Sequence, residues 1–188
     1  ALNNFADFCS MARIPGFAVT NKSDADFLLP KHLTQPGFRI IGISQRLEKE
    51  EIIDPGKPIC IVEEGKIFQY AEGKDVTLVS FNFSFPQAYK FAATLGKRGI
   101  NPAYFNVNSA VAVDWALINE SVLATKKIII VDDSKSRHVA ADALLAELPT
   151  TSLKKKIIVK RALGEDWLNP TSDIFEIDEE KVIRELQV

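Results

Sequence analysis

The run Lys127-Ile128-Ile129-Ile130-Val131 leaves few structural options open. Four consecutive β-branched residues disfavour a helix. A strand of that composition is apolar on both faces, so it belongs inside a sheet that is covered on both sides. Similar strands are expected at Val76 to Phe81, Ala103 to Val107 and Ile157 to Lys160. Helical patterns separate them. One runs from Phe85 to Lys97, capped by Ser84, with Pro86 in its first turn and Gly99 ending it. A second runs from Asp114 to Thr125 with Trp115, Ile118, Val122 and Leu123 as its apolar face, and a third from Ser136 or Arg137 to Leu148, stopped by Pro149. Asp178 to Leu186 closes the series. The alternation predicts an α/β fold of three layers, a mostly parallel sheet with helices on both faces.

The chain before residue 50 reads differently. Residues 3–12 form a helical stripe through Phe5, Phe8, Cys9 and Ala12, broken by Ile14-Pro15-Gly16. A short strand at Phe17 to Thr20 precedes a helix capped by Ser23 or Asp24 and reaching Leu33, which Pro30 should kink or shorten. After the turn Gln35-Pro36-Gly37 comes a strand from Phe38 to Ser44. Gln45 to Glu51 is charged and polar and reads as a linker. Turn chemistry at Asp54-Pro55-Gly56-Lys57-Pro58 leads into a hairpin, Ile59 to Glu63 and Lys66 to Tyr70, around Glu64-Gly65. The organisation expected is a partial α/β segment over 1–50 and a full α/β domain over 51–188. Two strands are too few for the first segment to build its own core, so an apolar face there should need a cover.

Composition excludes several classes of function. Among 188 residues, 23 basic and 25 acidic side chains give a net charge of −2, which is no footprint for nucleic acid. Lys154-Lys155-Lys156 is short and opens an apolar strand, so it reads as solvated. Cys9 and Cys60 have neither metal spacing nor the density of a disulfide scaffold, which fits a reducing compartment. No apolar run approaches the roughly 20 residues of a membrane span, and no basic-then-apolar signal segment opens the chain. The start at Ala1 without a methionine fits a fragment, a processed chain or part of a longer one.

The loudest motif is Ile128 to His138, IIIVDDSKSRH, which resembles the opening of a bacterial receiver domain. There, acidic residues at a strand's C-terminal end hold a magnesium ion. A receiver needs five strand-helix units, however, and only about 50 residues follow Asp133. Asp173 lacks the surroundings of a phosphoacceptor, which sets that reading aside. Asp132, Asp133 and Ser134 read first as polar residues that end a buried strand and cap the next helix. Together with Arg137 and His138 they are also the candidates for contact with a ligand or a partner. His32 has no second histidine near it. No glycine-rich phosphate loop and no Gly-x-Ser-x-Gly elbow occur, and neither cysteine has a histidine partner in a known motif. Glu63-Glu64 and Glu179-Glu180 sit on a turn and at a helix start, where carboxylates need no catalytic role. No catalytic, cofactor-binding or metal-binding residue is assigned.

Several strings, taken in order, resemble the last domain of the transketolase superfamily. Gly73-Lys74-Asp75-Val76-Thr77-Leu78-Val79-Ser80 is similar to that domain's first strand, preceded by Asp54 to Pro58 in place of its Pro-Gly-Lys linker. Leu95 to Ile100, Phe105-Asn106-Val107, Asp114 to Ser121, Val131-Asp132, Val139 to Asp142 and Gly164 to Pro170 follow in the family's order. Ile14-Pro15-Gly16-Phe17, Ser23-Asp24-Ala25 and Gly37 to Ile41 resemble the end of a pyrimidine-binding domain. The nearest resemblance is to the beta subunit of the first component of 2-oxoacid dehydrogenase complexes, although Val131-Asp132-Asp133-Ser134 replaces that subunit's Val-Glu-Gly-Gly.

The resemblance implies thiamine diphosphate and magnesium in an intact enzyme, held by parts of the family not matched here, and none bound by this chain alone. It implies the C-terminal portion of such an enzyme, serving subunit assembly and not catalytic by itself. The partners implied are thiamine-binding subunits in a homo- or hetero-oligomer and an acyltransferase core, with no nucleic acid and no membrane. The compartment would be the cytoplasm, or the mitochondrial matrix in a eukaryote. The alternative is a stand-alone binding or assembly module with the same fold.

Overall fold

The computed structural model describes residues 5–44, 51–109, 111–135, 140–161 and 175–187. The chain opens with helix α1 (Phe5–Ala12), strand β1 (Gly16–Val19), helix α2 (Lys22–Leu33) and strand β2 (Ile40–Ile43). β1 and β2 pair in parallel as a two-stranded sheet. One face, with Phe17, Val19 and Ile41, packs on Leu28 of α2 and on Phe68 beyond. The other carries Ala18 against Phe5 and Cys9 of α1.

Six further strands follow: β3 (Cys60–Val62), β4 (Ile67–Ala71), β5 (Val76–Phe81), β6 (Pro102–Val107), β7 (Lys127–Asp132) and β8 (Lys155–Lys160). They form one sheet in the order β3-β4-β6-β5-β7-β8. β6, β5, β7 and β8 run parallel, while β3 and β4 form an antiparallel hairpin on the β6 edge. The hairpin turn takes Glu63, Glu64 and Gly65 through φ values of 45°, 62° and 95°. Gly65 also presses on α2: a Cβ there would lie 2.5 Å from Leu28 Cδ2, so the close approach itself demands glycine.

Helices α3 (Phe85–Lys97), α4 (Ala116–Thr125), α5 (Asp142–Glu147) and α6 (Glu179–Gln187) complete the layers. The isoleucine run of β7 shows why both faces are covered. Ile128 and Ile130 point to the side of Ile118 and Val122 of α4 and Leu144 of α5. Ile129 and Val131 point to the side of Phe85, Phe91 and Leu95 of α3 and Val182, Ile183 and Leu186 of α6. A strand alternates its side chains, so burying both sets needs helices above and below. Gly96 lies near the end of α3 and faces open space. Gly96→Ala is expected to gain about 0.5 kcal/mol through lower backbone entropy in the unfolded chain, read as a small rise in thermal midpoint.

Several sequence expectations are corrected here. The N-cap of α2 is Asn21, not Ser23 or Asp24: Asn21 and Asp24 form a reciprocal capping box, with Asp24 at its third position. α2 also runs on through Pro30 to Leu33. β2 starts at Ile40, not Phe38, because the Arg39 guanidinium donates to the carbonyls of His32 (2.8 Å) and Pro36 (2.6 Å) and holds the preceding turn. Ser84 stands at the N-cap of α3 as expected, but its side chain makes no capping bond. Its hydroxyl lies 2.8 Å from the carbonyls of both Phe81 and Val131, tying the end of β5 to β7. Leu123, assigned to the apolar face of α4, is exposed. The helix expected from Ser136 or Arg137 begins at Asp142; residues 136–139 lie outside the described residues.

Candidate functional site

In open parallel sheets, ligands and partners meet the C-terminal ends of strands where connections diverge. Here the chain leaves β5 toward β6 on one side, and leaves β7 toward β8 on the other. The divergence therefore lies between the ends of β5 and β7. Asp132, Asp133 and Ser134 stand there, all buried, beside Asn82 and Ser84. Asp132 accepts hydrogen bonds from the amides of Ser134 and Ala141, both at 2.9 Å, so it also satisfies the entrance to α5. Burial pushes its carboxyl above the ordinary range, while the bonds from Ser134 and Ala141 pull it down. Asn82 adopts φ 54° and donates to Ser134 Oγ at 3.2 Å. Arg161 Nε donates to the Asp133 carbonyl at 2.9 Å. The structure thus brings Asp132, Asp133 and Ser134 together in a packed polar knot. Arg137 and His138 lie outside the described residues.

A second polar cluster joins the two sheets. Asp24 and Asn21 of the small unit meet Asn106 and Asn108 from β6 and its extension, all buried. Asn108 Nδ2 lies 2.6 Å from Asp24 Oδ2, and the Ala18 amide donates to the Asn108 carbonyl at 2.6 Å. Burial pushes the Asp24 carboxyl up to about 6, against the bonds from Thr20, Asn21 and Asn108 that lower it. Sequence reading missed this cluster. Its signals were the pattern Asn21-x-x-Asp24 and two asparagines closing the otherwise apolar run of β6.

The remaining titratable candidates are structural. His32 is buried, stacked on Phe17 with ring centroids 4.0 Å apart, and its Nε2 donates to the Glu64 carbonyl at 2.9 Å. Burial pushes the Cys9 thiol up to about 11, which leaves it un-ionised and unreactive at neutral pH.

A third feature is apolar. Among the described residues β2 has a strand partner on one side only. On this unit Met11 is 74% exposed and Phe38 87%, and Phe8, Leu33 and Ile43 are exposed as well. The segment Ile40-Ile41-Gly42-Ile43 carries neither charge nor proline to guard its open edge. Exposed apolar side chains of this size are costly in water.

A family model described as "Transketolase, C-terminal domain" matches residues 63–178. The chain belongs to that family. A rice (Oryza sativa subsp. japonica) mitochondrial pyruvate dehydrogenase E1 component subunit beta-2 is 27% identical over 165 residues, covering 82% of this chain and 43% of the relative. The pyruvate dehydrogenase E1 component subunit beta of Rhizobium meliloti (strain 1021) is 28% identical over 125 residues, 65% of this chain and 27% of that one. The chain therefore spans less than half the length of the curated relatives it matches. A solved structure described as a split gene transketolase, inactive beta4 tetramer, shares the fold at TM-score 0.70 and 19% identity, covering 100% of this chain and 60% of that one. These relatives are subunits of larger or oligomeric enzymes by their own descriptions. Within the transketolase C-terminal family region, the described helices include none long and apolar enough to cross a membrane, and the same is true of all described residues.

Proposed function

We propose that this chain is the C-terminal portion of a thiamine-diphosphate-dependent enzyme, of the 2-oxoacid dehydrogenase beta-subunit or transketolase kind, that serves subunit assembly and is not catalytic alone. One observation carries this reading: among the described residues the small unit exposes Phe8, Met11, Leu33, Phe38 and Ile43 and leaves one edge of β2 unpaired, in a chain matching 43% of its rice relative. Residues 1–50 are then the tail of a pyrimidine-binding-type domain and residues 51–188 the C-terminal-type domain. The parent reaction would be decarboxylation of a 2-oxo acid or transfer of a two-carbon unit, chemistry that the cofactor supplies.

This reading assigns none of the described residues to the cofactor or its metal. Among the described residues no three His, Cys, Asp or Glu side chains gather where a metal ion could sit. The buried carboxylates Asp24 and Asp132 are each occupied by donors of the chain itself. No chemical step is therefore assigned to this chain. Its partners on this reading are cofactor-binding subunits and an acyltransferase core, with Asp132, Asp133, Ser134, Arg137 and His138 near a contact, in the cytoplasm or a mitochondrial matrix.

The purified chain is expected to self-associate in analytical ultracentrifugation or to bind an apolar dye, and to lose dye binding when a partner covers α1 and β2. A monomer that unfolds in two states and binds no dye overturns the assembly reading. The intact mass of the native species separates the remaining choice. A mass larger by a domain or more supports the enzyme portion, and a mass equal to this chain supports a stand-alone module.

A further inference from the structure

The turn after α2 holds an aromatic ring out in water. Phe38 is 87% exposed, the highest value among the large apolar side chains described. The next residue braces the turn that carries it. Arg39 donates to the carbonyls of His32 (2.8 Å) and Pro36 (2.6 Å) and to Gln35 Oε1 (3.4 Å). A ring on a braced turn has less freedom to lose when a partner covers it, which favours binding.

A hole of matching character lies beside the ring. A cavity of about 280 Å³ opens between the turn, the start of β1 and the β3–β4 hairpin, with Pro15, Phe17, His32, Phe38, Glu63 and Lys66 in its lining. Its most buried members are the stacked rings of Phe17 and His32. The walls are fastened to each other. His32 Nε2 donates to the Glu64 carbonyl (2.9 Å), and Lys31 pairs with the Glu64 carboxylate at 3.5 Å. The polar groups of the rim are engaged as well: Lys66 Nζ with Glu63 (3.0 Å) and the Ala112 carbonyl, Arg39 with its own turn. Little is left to orient a polar small molecule, and the volume is at the low end for one. The hole suits a single apolar side chain.

The rim also says whose side chain. It carries both signs, Arg39 and Lys66 against Glu63 and Glu64. Such a rim selects no strongly charged partner, but a two-fold axis lets it face itself with positive groups meeting negative ones. Ring and hole lie in one patch, which is what a contact between two identical surfaces requires. We propose that a second copy of this chain docks here about a two-fold axis, the Phe38 ring of each copy entering the cavity of the other against Phe17 and His32. The proposal rests on the assembly reading and gives it a surface and a partner.

Sedimentation velocity of the full chain, from about 1 to about 100 μM, is expected to show a monomer–dimer equilibrium. Phe38→Ala should weaken it by at least about tenfold, because the symmetry counts the lost anchor twice. Circular dichroism should show the fold intact, since the ring is exposed. Met11→Ala, at another exposed position, should leave the equilibrium unchanged. A photoreactive benzoyl-phenylalanine in place of Phe38, in a mixture of isotopically labelled and unlabelled chains, should give mixed-isotope peptides joined at Pro15, Phe17 or the turn from Gln35 to Arg39. A dimer as tight in Phe38→Ala as in the wild type, or crosslinks confined to single chains, overturns the proposal and leaves the assembly reading standing. A chain that stays monomeric throughout but binds an apolar dye overturns it too, and gives the cavity to a different subunit. A monomer that binds no dye overturns both.

Discussion

Gly73→Ala is expected to cost about 3 kcal/mol, lowering the urea midpoint by roughly 1–2 M. A Cβ at Gly73 would lie 2.2 Å from the Pro102 carbonyl carbon, 2.3 Å from the Asn101 oxygen and 2.5 Å from the Ala103 nitrogen. All three are backbone atoms at the start of β6, and they have no rotamer to change. The same stretch is pinned from the other side, where the Asp75 amide donates to the Asn101 carbonyl (3.2 Å) and the Asn101 amide to Asp75 Oδ2 (2.8 Å). Relief therefore requires β5 and β6 to part where their parallel pairing begins, at Val76 and Pro102. The effect is one of space, not of backbone conformation, so Gly96→Ala in open surroundings is the matched control. Equal midpoints for the two variants would show that the β5–β6 junction yields more easily than its backbone bonds imply.

Gly73 also illustrates what could be read from the sequence and what could not. The string from Gly73 to Ser80 marked strand β5 correctly, yet the reason for its glycine is a contact with residues 28 to 30 positions later. The apolar strand around Ile128 to Val131 was legible because its composition alone demands two covered faces, and α3 to α6 supply them. Local signals failed where a distant partner decides. Ser84 has the identity of a helix cap but spends its hydroxyl on Val131, 47 residues away. Asp24 has the identity of a cap as well, and the local part of that reading survives as a capping box with Asn21. Its bond to Asn108, 84 residues away, has no local trace. At the end of β7 the string Asp132-Asp133-Ser134 was visible as a candidate contact, and the Ala141 amide holds Asp132 while Asn82 holds Ser134.

Asn108→Leu should cost about 4 kcal/mol at pH 7.5 and about 2 kcal/mol at pH 5. Leucine keeps the volume, admits no water and removes three hydrogen bonds at once: to Asp24, to the Ala18 carbonyl and from Asn106. The pH dependence follows from the state of Asp24. Its folded value, about 6, lies above the 3.8 of an exposed carboxyl, so between those values the folded chain binds a proton that the unfolded chain does not. That contribution is complete below about 4 and is lost as pH rises through about 6, amounting to about 3 kcal/mol in all. Removing a donor that favours the charged form raises the folded value further. The variant is therefore penalised most where the wild-type carboxyl is ionised and least where it is already neutral. Chemical denaturation at both pH values measures this directly. A loss equal at pH 5 and 7.5 would place the cost in packing and in the neutral amide bonds. A loss concentrated at pH 7.5 would place it on the buried charge that joins the two units, a large part of the 5–15 kcal/mol by which a typical domain is stable.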